Sequence, residues 1–68
     1  MYKCLIIKSF SIFELHDIYL YNDIIDGEDI TIYDNEQKIL TCSISFFKEH
    51  FSYNKDDIRE IIISNLFQ

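Results

Sequence analysis

The chain has 68 residues, of which 49% are hydrophobic, so it is long enough and apolar enough to build one small core. Six lysines and arginines stand against twelve aspartates and glutamates, which gives a formal net charge of −6. This acidic balance disfavours direct nucleic-acid binding, because phosphate contacts need clustered cations. A single glycine excludes P-loop and dinucleotide-binding motifs, which need several glycines.

The first predicted element is a strand over residues 2–7, a short segment rich in β-forming side chains. The apolar run in it stops at Lys8 and is too short for the core of a signal peptide. The longest uncharged stretch, residues 39–47, is far shorter than the roughly 18 apolar residues of a membrane span. We therefore expect a cytoplasmic protein that does not enter a membrane.

The next segment, residues 11–25, fits two alternatives. Ser11 and Glu14 match a capping box, and apolar residues then recur at helical spacing, which favours a helix that ends near the single glycine. Residues 18–21 taken alone would make a good strand. A two-residue hairpin turn at residues 26–27 is disfavoured, because it would mix charged and apolar side chains on one face. We predict the helix and keep the strand as its rival.

Alternation of apolar and polar residues predicts a β-hairpin over residues 29–45. Its first strand covers residues 29–34 and its second covers residues 38–45. Between them, Asp34 and Asn35 suit a turn, because Asp and Asn side chains bond their own backbone and tolerate left-handed geometry. The residues of the second strand expected to face inward are Leu40, Cys42 and Ile44.

The rest of the chain favours helix. A short helical turn is expected over residues 46–51. Asn54 can cap a second helix, since Asp56 and Asp57 would follow in its first turn, where the helix dipole favours anions. The apolar residues at helical spacing are Ile58, Ile61, Ile62 and Leu66. Because the run 61–63 is β-branched, a strand remains the alternative there.

These elements in order predict an α+β fold: a small antiparallel β-sheet of three to four strands with one or two helices packed on one face. Fourteen isoleucines and six phenylalanines would dominate its core. No internal repeat or linker divides the sequence. Residues 1–68 are therefore predicted to form a single compact domain.

Two cysteines and two histidines are the candidates for metal or catalytic chemistry. Cys4 and Cys42 lie among alternating apolar residues, which is typical of buried free thiols. Together with His16 and His50 they match none of the short paired spacings of zinc modules. Each histidine has a carboxylate only as its direct sequence neighbour, and a helix would point the two side chains apart. We therefore predict no enzymatic activity and no cofactor.

The charge pattern carries the functional prediction. Between Lys8 and Lys38 there is no lysine or arginine and there are eight carboxylates, and we call this stretch the acidic segment. The segment does not match the calcium-binding loop of an EF-hand, because Ile24 and Tyr33 would occupy positions that require oxygen ligands. A loose divalent-cation site remains as the weaker alternative. We interpret the segment as a surface that steers and binds a basic partner. Its predicted contact residues are Asp23, Asp26, Glu28, Asp29, Asp34, Glu36, Tyr21 and Tyr33.

In size, acidity and a residue usage typical of an AT-rich genome, the chain resembles phage-encoded inhibitors of host nucleic-acid machinery, including anti-CRISPR proteins and uracil-DNA-glycosylase inhibitors. The likeness is one of overall character and not of a motif. It implies a non-enzymatic inhibitor in the host cytoplasm, which would cover a basic nucleic-acid-binding site on a defence or DNA/RNA-processing effector as a DNA mimic does.

The alternative is a small structural or assembly protein that associates with itself through apolar contacts. A short chain with this many phenylalanines would carry more of them than one core can bury, and the surplus would form a homodimer seam. The phenylalanines concerned are Phe46, Phe47, Phe51 and Phe67.

Overall fold

The computed structural model describes residues 1–66, which form a five-stranded sheet and two helices. In chain order the elements are β1 (Tyr2–Ile6), β2 (Ile18–Tyr21), β3 (Ile30–Asp34), β4 (Gln37–Cys42), α1 (Ile44–His50), β5 (Phe51–Ser52) and α2 (Lys55–Leu66). The strand order is β4-β3-β2-β1-β5, and every neighbouring pair is antiparallel. The predicted α+β class is confirmed, with helices packed against an antiparallel sheet. The sheet has five strands and not the predicted three to four, because Ile18–Tyr21 and Phe51–Ser52 also pair with β1.

The core lies on one face of the sheet. Strand register places Tyr21 directly beside Ile32, and α1 covers both with the fully buried ring of Phe47. The Phe47 ring stacks on Phe51, with centroids 5.1 Å apart and an interplanar angle of 13°. The buried residues of this cluster are Cys4, Ile6, Phe13, Tyr21, Ile30, Ile32, Phe47 and Phe51. Aromatic and branched side chains therefore fill the space between α1 and the sheet.

Residues 11–25 do not form the predicted helix. The rival strand is correct for Ile18–Tyr21, which pairs with β1 on one side and β3 on the other. A central strand can bury β-branched and aromatic side chains against neighbours on both sides, and this outweighs the helical spacing. Before the strand, Ser11 and His16 have positive φ angles of 48° and 73°, which are incompatible with a right-handed helix.

Gly27, expected to end that helix, lies instead in the loop between β2 and β3. The Glu28 amide donates to the Ile25 carbonyl at 3.1 Å, so Gly27 is the third residue of a four-residue turn, and its φ angle is 80°. A type II turn requires a positive φ at this position, which glycine adopts without steric cost. β2 and β3 are thus joined by an eight-residue loop, residues 22–29, in which this turn is embedded.

The predicted hairpin is confirmed as β3 and β4. Asn35 in its turn has a φ angle of 59°, as expected for an asparagine in left-handed geometry. The register shifts at Ile39, which is an extra residue between the pairs of β4 with β3. Ile44 is not part of the second strand but begins α1, because Ser43 Oγ accepts a hydrogen bond from the Phe46 amide at 3.2 Å and caps the helix.

Both helices predicted for the last part of the chain are present as α1 and α2, except that Phe51, expected in the first of them, pairs with Ile6 as part of β5. Asn54 caps α2, since its side-chain oxygen accepts hydrogen bonds from the amides of Asp56 at 2.8 Å and Asp57 at 3.3 Å. The two aspartates lie in the first turn, where their negative charges interact favourably with the helix dipole. The strand alternative for residues 61–63 is wrong, and Phe67 lies outside the described residues.

Replacing Asn54 by alanine is expected to lower the free energy of unfolding by about 1 kcal/mol, because two amides of α2 lose their acceptor. Urea unfolding followed by circular dichroism measures the change. Asn54→Asp, which keeps a capping oxygen, is the matched control and should retain most of the stability. Equal losses for the two variants would contradict a capping role for this side chain.

Candidate functional site

Four of the predicted contact residues lie together in residues 22–29, which we call the acidic loop. Asp23, Asp26, Glu28 and Asp29 are all exposed, and the loop contains no basic residue. Asn22 fixes the loop to β3, because its side-chain oxygen accepts a hydrogen bond from the Thr31 amide at 2.8 Å. The carboxylates are therefore carried by a loop whose first residue is anchored to the sheet.

Asp34 and Glu36 lie at the other end of the sheet, beside the turn between β3 and β4. Two further acids of the segment, Glu14 and Asp17, lie close to the same end. Burial raises the pKa of Tyr19, and the nearby charges of Asp17, Asp34 and Glu14 raise it further. We call Glu14, Asp17, Asp34 and Glu36 the distal acidic group. The eight carboxylates of the acidic segment thus form two groups at opposite ends of the sheet.

The two predicted contact tyrosines have different environments. Tyr21 is only 7% exposed and packs on Phe47 in the core, with ring centroids 5.0 Å apart, so it does not belong to a contact surface. The pairing of Tyr21 with Ile32 turns its side chain to the core face of β2, and sequence alternation alone did not reveal this. Tyr33 is half-buried and lies beside Leu20 on the opposite face of the sheet.

Tyr2 is a residue of this region that the sequence did not indicate. It pairs with Tyr21 across β1 and β2, which brings it to the end of the sheet that carries the acidic loop. Hydrogen bonding to Asp23 and the charge of that carboxylate raise the pKa of the Tyr2 phenol. The association between residues so distant in sequence depends on strand register, so only the register could have revealed it.

None of the eight carboxylates of the acidic segment is ion-paired within residues 1–66. The ion pair in this part of the chain joins Lys8 Nζ to Glu49 Oε1 at 3.0 Å, and both side chains are exposed. The hydrogen bond from Lys8 and its charge lower the pKa of Glu49. An exposed pair of this kind contributes little to stability. The acidic loop and the distal acidic group therefore face solvent without neutralising cations.

His50 and the two cysteines have structural environments, whereas His16 is exposed. His50 is buried, its Nδ1–H donates to the Phe46 carbonyl at 3.0 Å, and its ring stacks on the Phe46 ring with centroids 4.0 Å apart. Cys4 is fully buried, as predicted, and burial raises the pKa of its thiol to about 12. Cys42 is half-buried, and burial raises its pKa as well. Because the thiolate is the reactive form, neither cysteine is suited to act as a nucleophile at neutral pH.

Among the residues that the structure describes, no group of three or more histidines, cysteines, aspartates and glutamates is placed to hold a metal ion. Over the same residues, neither helix has the length and apolar character needed to cross a bilayer. No family model, curated protein or solved structure matches this chain. A function therefore has to be inferred from the residues themselves.

Proposed function

We propose that the protein is a non-enzymatic inhibitor whose acidic loop binds a basic, nucleic-acid-binding surface of another protein. One observation carries this proposal: four exposed carboxylates lie within eight residues, and none is ion-paired within residues 1–66. Two like charges about 7 Å apart repel by roughly 0.6 kcal/mol in water. A cationic partner would remove this repulsion on binding, so the loop gains more from docking than an ordinary solvated loop does.

The composition of the acidic loop also suits an interface. Ile24 and Ile25 are exposed between the carboxylates of Asp23 and Asp26. Interfaces commonly bury apolar side chains at their centre and leave charged groups at the rim, where those charges steer association. The loop therefore combines a short apolar contact with carboxylates that would guide it toward a basic partner.

The distal acidic group offers a second contact to the same partner. β3 has five residues and connects the two ends of the sheet, so the acidic groups are separated by roughly 15 Å. A protein that binds duplex DNA contacts phosphates on both sides of a major groove about 12 Å wide. A basic cleft of that size would be able to contact both acidic groups, in the way expected of a DNA mimic.

Charge reversal tests the assignment. The triple variant Asp26→Lys, Glu28→Lys, Asp29→Lys is expected to weaken binding by more than about a hundredfold, because three attractive contacts become repulsive. Pull-down from host-cell lysate at low and high salt identifies the partner, and added nucleic acid should compete with the protein for it. Binding of the unmodified protein should weaken with salt, since exposed charges are screened.

A comparison variant reverses the same number of charges in the distal acidic group: Asp17→Lys, Asp34→Lys, Glu36→Lys. A much smaller loss in this variant assigns the contact to the acidic loop, whereas equal losses indicate that both groups bind. Circular dichroism verifies that both variants fold. A folded acidic-loop variant that still captures the same partner would refute the proposed surface.

The self-assembly alternative requires exposed phenylalanines, and the three of its four that lie within residues 1–66 offer little surface. Phe47 and Phe51 are fully buried in the core, and Phe46 is half-buried against Phe10 and His50. Light scattering coupled to size exclusion is therefore expected to show a monomer whose mass does not change with salt.

A further inference from the structure

A groove of about 600 Å³ lies between α2 and β1. β5 pairs with β1 only at Leu5 and Ile6, so the first part of β1 has no strand on this side and faces α2. The walls of the groove include Tyr2 of β1, Tyr53 in the segment before α2, and Ile58 and Ile62 of α2. Its volume is within the range of about 300 to 1,000 Å³ that small-molecule sites occupy.

The apolar walls of this groove are incompletely covered. Tyr2 is 53% exposed and Ile63 is 44% exposed, although both are large apolar side chains. Contiguous apolar surface of this kind, set in a concave site with a polar rim, is characteristic of ligand-binding grooves. Burial of these walls by an apolar group would therefore be energetically favourable.

The charge of the groove is opposite to that of the protein as a whole. Lys3, Lys55 and Arg59 line it, and no carboxylate does, although the chain carries a net charge of −6. Lys55, Ile58, Arg59 and Ile62 are spaced so that they share one face of α2. None of the three cations is ion-paired within residues 1–66. Asp23 lies outside this lining but interacts with Tyr2 of the groove wall.

We propose that this groove binds a small amphipathic anion, an apolar chain that ends in a carboxylate. The chain would lie against the tyrosines and isoleucines, and the carboxylate would face Lys55 and Arg59. A neutral apolar ligand would leave the cations desolvated without a partner, and a small inorganic anion would leave the apolar walls wet. An amphipathic anion satisfies both features of the site.

Decanoate is a suitable probe, with decyltrimethylammonium as the matched cation of equal chain length. Isothermal titration calorimetry is expected to show that decanoate binds at least about tenfold more tightly than the cation, because an ionic hydrogen bond is lost with the latter. Amide chemical shifts in NMR spectra should change mainly at Tyr2, Tyr53 and the first two turns of α2. Equal affinity for both amphiphiles, or shifts located elsewhere, would overturn the proposal.

Arg59→Glu is expected to weaken decanoate binding by about tenfold or more, whereas Lys38→Glu, which changes the charge equally on the β3–β4 hairpin, should leave it unchanged. If Arg59→Glu fails to fold, Arg59→Gln is used in its place. The acidic-loop triple variant should bind decanoate as the unmodified protein does. The proposal for the groove and the proposed function can therefore be refuted separately. A native dimer that Ile62→Glu dissociates would show that a second copy occupies the groove, which overturns the small-ligand assignment.

Discussion

Replacing Phe47 by alanine is expected to cost about 3 to 5 kcal/mol, which approaches the whole stability of a domain this small. Phe47 is fully buried and its ring lies within 6 Å of three other aromatic rings, those of Tyr21, Phe51 and Tyr53. Truncation would remove the side chain that joins α1 to the sheet and leave a cavity where the three rings meet. Chemical unfolding followed by circular dichroism should show a variant that is largely unfolded or only marginally folded.

Two comparisons separate the loss of packing from a general effect of mutation. Phe47→Leu retains most of the apolar volume and should be clearly more stable than the alanine variant. Ile12→Ala removes a side chain that is 82% exposed, so it should change stability by no more than about 0.5 kcal/mol. If Phe47→Ala were no more harmful than Ile12→Ala, α1 would not be packed on the sheet through this ring.

A rise in pH from about 9 to about 12 is expected to destabilise the protein by as much as about 4 kcal/mol through Cys4 alone. Burial raises the pKa of this thiol from its ordinary value of 9.0 to about 12. Between these values the unfolded chain has lost a proton that the folded protein still holds, so stability decreases as the pH rises. The contribution is fully present below pH 9.0 and is lost as the pH rises through the folded value. The raised pKa values of Tyr19 and Tyr21 add to the same trend.

Cys4→Ala isolates this contribution, because alanine does not titrate. The variant should be less stable at neutral pH, where it leaves a small cavity, but its stability should fall less steeply from about pH 8 to about pH 11 than that of the unmodified protein. Cys42→Ala is the control, since Cys42 is only half-buried and its removal should leave most of the alkaline loss in place. Identical pH profiles for the unmodified protein and Cys4→Ala would show that Cys4 is not the titrating group.

The elements that the sequence predicted correctly are those with strong local signals. The β3–β4 hairpin combines alternation with turn residues, and α2 combines an asparagine cap with two acids in its first turn. Each signal is contained within a few residues. The structure therefore agrees with the prediction where local preferences and tertiary packing favour the same element.

The segment before β2 shows where local signals fail. The sequence Ile18–Tyr21 is compatible with a helix or a strand. It forms a strand because β1 and β3 pair with it from both sides. The helical spacing upstream did not reveal that Ser11 and His16 adopt left-handed backbone geometry. Tertiary pairing thus overrode a plausible capping box, and the same pairing turned Tyr21 into the core.

The candidate site was predictable only where its residues are close in sequence. Sequence proximity alone places Asp23, Asp26, Glu28 and Asp29 in one loop, and the turn of the hairpin places Asp34 and Glu36 at the far end. The contribution of Glu14 and Asp17 to that far end required the position of β2. The cationic groove was not foreseen at all, because it depends on α2 lying against β1, two elements from opposite ends of the sequence.

The position of β1 in the sheet has a consequence for how the molecule is made. β1 lies between β2 and β5, and its Ile6 pairs with Phe51, which is synthesised long afterwards. On the ribosome, the nascent chain would therefore present an unfinished sheet edge until β5 emerges from the exit tunnel. Closure through such distant contacts is slow compared with local pairing. We expect premature termination before β5 to yield an aggregation-prone fragment.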